Sequence, residues 1–109
     1  MGKRTKPQRT SEDDIDLVLG VAWYRREQWN RLLEISTDRD KIGNTYEEWE
    51  ANAEKGLRMA ARPGVVLRKV DIDVEELLKW CRSQGRPVDG AARSIFTAEK
   101  LKEQSEKSQ

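Results

Sequence analysis

The longest apolar run of the chain is LVLGVAW, residues Leu17–Trp23, and it continues into Tyr24. Its residues are apolar at both even and odd positions, so both faces of an extended segment would be buried. The run is far shorter than the roughly 20 residues that a membrane-spanning helix needs. It therefore predicts a strand that is buried on both faces.

Helical periodicity begins after this strand. The inward positions recur with the spacing i, i+3, i+4 and i+7 at Trp29, Leu32, Leu33 and Ser36, which predicts an amphipathic helix. If Leu33 is buried in that helix, we expect Leu33→Ala to cost about 2–5 kcal/mol of unfolding free energy. A polar link follows, residues 36–44.

A second helix is predicted to begin at the capping box TYEE, residues 45–48. In such a box the Thr45 hydroxyl accepts a hydrogen bond from the amide of Glu48. Pro63 cannot continue a helix and therefore ends it. The inward side of this helix should consist of Tyr46, Trp49, Ala53, Leu57 and Ala60.

The remainder of the chain predicts a second strand, residues 65–72, that is less enclosed than the first because one of its faces ends in polar residues. Asp73 and Asp89 are placed to cap two further helices, and Gly85 is placed to end the first of these two. Their inward sides should consist of Val74, Leu77, Leu78 and Cys81 in the third helix and of Ala92, Ile95, Phe96 and Leu101 in the fourth.

These elements predict a helix-rich α+β fold with the order β-α-α-β-α-α and a two-stranded sheet. The two helices between the strands permit either parallel or antiparallel pairing. A two-stranded sheet leaves two open edges, and a homodimer is one way to cover them. We expect one domain over residues 15–104, a disordered charged arm over 1–14 and a frayed tail over 105–109.

Charge and composition exclude several classes of function. The chain has 21 Lys and Arg against 20 Asp and Glu, so its net charge of +1 does not favour nucleic acid or an anionic membrane. It contains no histidine, which excludes every histidine-based catalytic or metal site. Its only cysteine, Cys81, excludes an intramolecular disulfide and a cysteine-cluster zinc site, and a lone thiol is typical of the cytoplasm.

The remaining candidates for catalysis or metal binding are weak. DRD, residues 38–40, begins like a calcium loop, but Trp49 occupies the position where that loop requires a bidentate Glu. Cys81 lies on an apolar helix stripe, which favours an inert core thiol. We therefore predict no catalytic residue, no metal site and no cofactor. A group of glutamates at the start of the second helix indicates a solvated face that suits the helix dipole, namely Glu47, Glu48, Glu50 and Glu54.

Tryptophan is frequent, with four in 109 residues. Tryptophan contributes much apolar area to a small core, and it also anchors partners at interfaces. Trp80 lies at the margin of its helix stripe and is the best candidate for a surface anchor. Trp23 with Arg25 and Arg26 forms a second candidate binding group. A nucleic-acid alternative uses the basic residues of the arm, Lys3, Arg4, Lys6 and Arg9.

The chain resembles a group of small bacterial proteins over about residues 17–100. The residues that carry the resemblance are WYRREQW at 23–29, LL at 32–33, TYEEW at 45–49 and LLKWC at 77–81. The resemblance implies a bacterial origin. It implies no activity, cofactor or site residue.

Three functions are compatible with these observations. The first is a small cytoplasmic interaction or regulatory module that binds a protein, its own copy included. The second is a nucleic-acid-binding accessory protein that uses the basic arm. The third is a histidine-free acid–base or thiol enzyme, for which the sequence supplies no catalytic group beyond Asp, Glu, Lys and Cys81.

Overall fold

The computed structural model describes residues 17–43 and 45–107. It confirms the helix-rich α+β fold and the predicted order of strands and longer helices, and it adds a one-turn helix in the polar link. The elements are β1 (Leu17–Trp23), a short 3₁₀ turn (Arg26–Gln28), α1 (Trp29–Ile35), α2 (Arg39–Ile42), α3 (Tyr46–Ala60), β2 (Val65–Asp71), α4 (Val74–Ser83) and α5 (Gly90–Lys107).

The two strands pair in parallel, which the sequence left open. Leu17 lies opposite Val65 and Trp23 lies opposite Asp71. Parallel strands need a long crossover connection, and here α1, α2 and α3 provide it. Within the described part of the chain the sheet has these two strands alone.

The predicted helix starts are confirmed. Thr45 accepts a hydrogen bond from the amide of Glu48 at 3.0 Å. Asp73 accepts two amide hydrogen bonds at the start of α4, and the Asp89 carboxylate accepts one from Ala92 at 2.9 Å. These caps satisfy amides that the first helical turn leaves without partners. The chain leaves α4 through Gly85, whose φ of 64° is a conformation that favours glycine.

The core lies where α1, α4 and α5 meet the carboxyl end of β2. Its largest fully buried side chains are Leu32, Ile72, Leu77, Val70, Val74 and Cys81. The predicted inward stripe of α4 is confirmed at Val74, Leu77 and Cys81, while Leu78 is half-buried.

The prediction that β1 is buried on both faces is wrong. Leu17, Val18 and Leu19 are 48%, 39% and 43% exposed, and the rest of the strand is half-buried. The predicted difference in enclosure between the strands is not observed, because each strand has three exposed residues and the one fully buried residue, Val70, lies on β2. The physical reason is that the side chains of a strand project from the two faces of the sheet, so their burial depends on which helices cover those faces and not on the apolar sequence of the strand alone.

Three helix predictions also need correction. Leu33 is half-buried rather than buried. Ile95 is 42% exposed, whereas Thr97, two residues further along α5, is 3% exposed. The predicted inward side of α3 does face the protein, but α3 contains no fully buried residue. A periodic pattern identifies the side of a helix that faces inward, and the neighbouring elements decide how completely that side is covered.

Gly20 allows α5 to approach the middle of β1. A Cβ atom at this position would lie 3.1 Å from Cγ2 of Val70, 3.3 Å from Cγ2 of Thr97 and 3.4 Å from Cβ of Leu101. Helix α5 therefore lies directly over β1, on the face to which residue 20 points.

The predicted arm over 1–14 lies outside the described residues. The predicted tail over 105–109 overlaps the end of α5, which continues to Lys107, and positions 108–109 lie outside the described residues.

Candidate binding surface

One edge of β1 carries backbone groups that β2 does not use. The amide of Leu17 donates to the carbonyl of Gly64, and the carbonyl of Trp23 accepts from the amide of Ile72. Because backbone groups alternate in direction along a parallel strand, the odd-numbered residues of β1 bond to β2. The N–H and C=O groups of Val18, Gly20 and Ala22 therefore point away from β2. Among the described residues, no other strand bonds to them.

Helices α3 and α5 lie on opposite faces of the sheet and form the walls of a groove along this edge. Gly20 faces α5, whereas the ring of Trp23, which has the opposite parity, contacts Trp49 of α3 at 5.0 Å between centroids. The groove has a volume of about 390 Å³. Its floor is formed by residues 20–22, and its walls include Ile42, Trp49, Ala53, Gly90, Ser94 and Thr97.

Among the described residues that line the groove, Arg93 alone has a charged side chain, and that charge is already paired. Its guanidinium donates to both carboxylate oxygens of Asp38, at 2.9 and 2.7 Å, and to the hydroxyl of Ser36 at 3.3 Å. Both members of the pair are largely buried, with side chains 13% and 18% exposed. The hydrogen bonds from Arg93 hold the pKa of Asp38 below its usual range. The pair is therefore neutral overall.

Tyr24 closes one end of the groove and is itself 5% exposed. Its ring contacts Trp49 at 5.4 Å, and its carbonyl accepts a hydrogen bond from the Tyr46 hydroxyl at 3.1 Å. Burial raises the pKa of Tyr24 to about 12, so its hydroxyl stays protonated at neutral pH. Tyr24 therefore presents a neutral polar group at the groove wall.

The amino half of β1 extends the apolar surface beyond the groove. Leu17 and Leu19 share the α3 face of the sheet, and Val18 lies on the α5 face. In a chain in which 38% of residues are charged, seven consecutive uncharged residues at an open edge mark a distinctive surface.

The structure separates the residues that the sequence singled out for binding. Trp23 is half-buried beside Trp49, with Nζ of Lys69 4.1 Å from its ring centroid. Trp80 belongs to a different region, where it is half-buried against Phe96 at 5.5 Å. Trp23 and Trp80 therefore do not form one site.

Arg25 and Arg26 are exposed and are both already engaged in ion pairs. Arg25 pairs with Glu27 at 3.8 Å and with Asp71 at 3.4 Å. Arg26 pairs with Glu47 and lies 4.7 Å from the ring centroid of Tyr46. The residues of the nucleic-acid alternative, Lys3, Arg4, Lys6 and Arg9, lie outside the described residues.

Cys81 is 1% exposed, which confirms a core thiol. Burial raises its pKa, so the reactive thiolate is disfavoured. The glutamates of α3 lie at or near the surface, where Glu54 pairs with Lys69 at 3.0 Å.

Sequence reasoning missed the groove and its Arg93–Asp38 pair. The two residues are separated by 55 positions, so no local spacing connects them. The available signal was the uncharged strand itself, because an apolar segment in a two-stranded sheet must leave one edge open.

Comparison with protein-family models, with curated proteins and with solved structures finds no match for this chain. Among the described residues, none of the helices has the length and apolar character needed to cross a membrane.

Proposed function

We propose that this protein is a small cytoplasmic interaction module that acts by binding another polypeptide through β1. The observation that carries the proposal is the exposure of Leu17, Val18 and Leu19 on an open, uncharged strand edge. An exposed apolar edge favours aggregation unless a partner or a protective device covers it. Lysine or proline commonly protects such edges, and β1 contains neither.

The test compares two single-site variants of the tagged full-length chain in affinity capture from a lysate of the source cell. Leu19→Lys places a charge on β1, and Ile95→Lys places the same charge on α5 at a residue of nearly equal exposure, 43% against 42%. We expect Leu19→Lys to weaken retention of the captured polypeptide by about tenfold or more, and Ile95→Lys to retain it as the unchanged protein does.

Circular dichroism establishes that both variants are folded before capture is compared. Equal retention by the two variants, or a monomeric protein that captures nothing, would contradict the proposal. The nucleic-acid alternative stays a prediction, and the absorbance ratio of the same eluates tests it. Nucleic acid that dissociates steeply with added salt would favour that alternative.

A further inference from the structure

The unpaired backbone of β1 presents a defined hydrogen-bonding pattern. Val18, Gly20 and Ala22 each direct one donor and one acceptor outward, with the two-residue repeat of a strand. This pattern is complementary to an extended backbone and not to a helix, whose donors and acceptors are already satisfied. Peptide recognition by strand addition uses such an edge for affinity and uses flanking pockets for specificity.

We propose that an uncharged, extended segment of a partner polypeptide adds to the free edge of β1 as a third strand, in the groove between α3 and α5. This inference rests on the proposed function, and it names the chemistry of the segment that the surface binds.

The walls of the groove specify alternating side chains. On the α3 face, the incoming strand meets Trp49 and Ala53, and Ile42 at the end of α2 also lines the groove. These side chains favour apolar residues. On the α5 face, the incoming strand meets three small or hydroxyl-bearing residues, Gly90, Ser94 and Thr97. Such residues favour Ser, Thr or Ala in the ligand. Side chains of a strand alternate between the two faces of its sheet, so the ligand alternates between apolar and small polar residues.

The charge balance of the groove indicates that the bound segment is uncharged. Arg93 carries the charge that the described lining residues bring to the groove, and its two hydrogen bonds to the Asp38 carboxylate compensate it. A charged side chain that entered this groove would lose hydration without gaining a counter-ion, which is strongly unfavourable. The exposed hydroxyl of Ser94 and the backbone edge can instead hydrogen-bond neutral groups.

A second copy of this chain fits the groove less well than an isolated strand does. Paired strands lie about 4.8 Å apart, whereas packed helices need about 8–10 Å between their axes. Because Thr97 and Leu101 lie directly over Gly20, two β1 edges in contact would bring two α5 helices too close. A peptide strand without flanking helices avoids this conflict.

The test titrates the isotope-labelled full-length protein with the blocked peptide Ac-Thr-Val-Thr-Val-Thr-Val-Thr-NH2 and follows backbone amides by NMR. We expect the peptide to slow hydrogen exchange at Gly20 and Ala22 by about tenfold or more at saturation, because it hydrogen-bonds their amides. The amides of Leu19 and Val21, already directed toward β2, should change little. A peptide N-methylated along one backbone edge is the control and should have no effect.

A matched pair of variants tests whether the peptide binds in the groove. Ser94→Glu adds a charge to its α5 wall, whereas Ala91→Glu adds the same charge to an exposed residue of α5 that does not line it. We expect Ser94→Glu to weaken peptide binding by about tenfold or more and Ala91→Glu to leave it unchanged. Equal binding by the two variants would contradict the proposed location.

The outcomes separate this inference from the proposed function. If Leu19→Lys abolishes capture while the peptide leaves Gly20 and Ala22 unprotected, the proposed function stands and strand addition is overturned. If these amides are protected without peptide and sedimentation shows a dimer, a second copy occupies the edge and the inference is likewise overturned. If the peptide protects them but capture does not depend on Leu19, the proposed function fails.

Discussion

Two adjacent leucines of α1 differ in how much of their side chain the fold removes from water. Leu32 is fully buried in the core, whereas Leu33 packs against the core with part of its side chain in solvent. The cost of truncating a leucine combines lost apolar burial with the cavity that remains. A half-exposed leucine loses less burial, and solvent can fill the space that it leaves.

We therefore expect Leu32→Ala to lower the unfolding free energy by about 2–5 kcal/mol, and Leu33→Ala to lower it by less than about 2 kcal/mol. Urea unfolding of both variants, followed by tryptophan fluorescence, measures the difference. Equal losses would mean that α1 is rotated relative to the core. The sequence-based expectation that Leu33 is buried would then be correct.

Among the elements, α3 and α5 meet the rest of the protein in different ways. Helix α5 lies so close to β1 that the space above Gly20 is filled, whereas a Cβ at Gly56 of α3 would meet nothing within 4 Å. Glycine in a helix interior destabilises it by roughly 0.5–1 kcal/mol relative to alanine, because it loses more backbone entropy on folding. The two positions should therefore respond in opposite directions to a larger side chain.

Gly56→Ala should raise the unfolding free energy by about 0.5–1 kcal/mol. Gly20→Val should lower it by about 1–3 kcal/mol, because its side chain would displace α5 from the strand. Thermal unfolding of the two variants under identical conditions measures both effects. Stabilisation by Gly20→Val would show that α5 does not pack closely on β1.

At the scale of the whole molecule, the Asp38–Arg93 pair joins the first half of the chain to its last helix. Asp38 follows α1, and its carboxylate accepts hydrogen bonds from the Arg93 side chain and from the amide of Gly90 at 3.1 Å. Because the folded pKa of Asp38 lies below its unfolded value, the pair stabilises the fold above the unfolded pKa of about 3.9. That contribution is lost as the pH falls through the folded pKa.

We expect Asp38→Asn to cost about 1.5–3 kcal/mol at neutral pH, since hydrogen bonds to charged groups contribute about this much. The difference between the unchanged protein and the variant should begin to shrink as the pH falls below the unfolded pKa of about 3.9. At that pH the unfolded chain binds a proton at Asp38, whereas the folded protein binds it only at lower pH. Urea unfolding of both proteins across this pH range measures the difference in unfolding free energy. The other carboxylates titrate in both proteins, so their contributions cancel in the comparison. A difference that stays constant with pH would contradict a charged pair.

Patterns within a few residues of sequence predicted the positions of the strands and helices well. They predicted the burial of the side chains in those elements poorly. The caps at Thr45, Asp73 and Asp89 are confirmed because each depends on residues within one helical turn. The exposure of Leu19 and Ile95 depends instead on which distant elements pack against them. Sequence periodicity contains no information about that packing.

The sequence by itself determined the two strands, the four longer helices, the starts of three of these helices and the absence of histidine from the chain. Hydrogen bonds and side-chain spacing within a few residues specify these features. Only the tertiary structure decided that the strands are parallel, that the first three residues of β1 are exposed and that α3 and α5 flank its open edge as a groove. Those features depend on contacts between residues far apart in the chain, such as Gly20 with Thr97 and Asp38 with Arg93. The packing geometry of the whole fold selects such contacts.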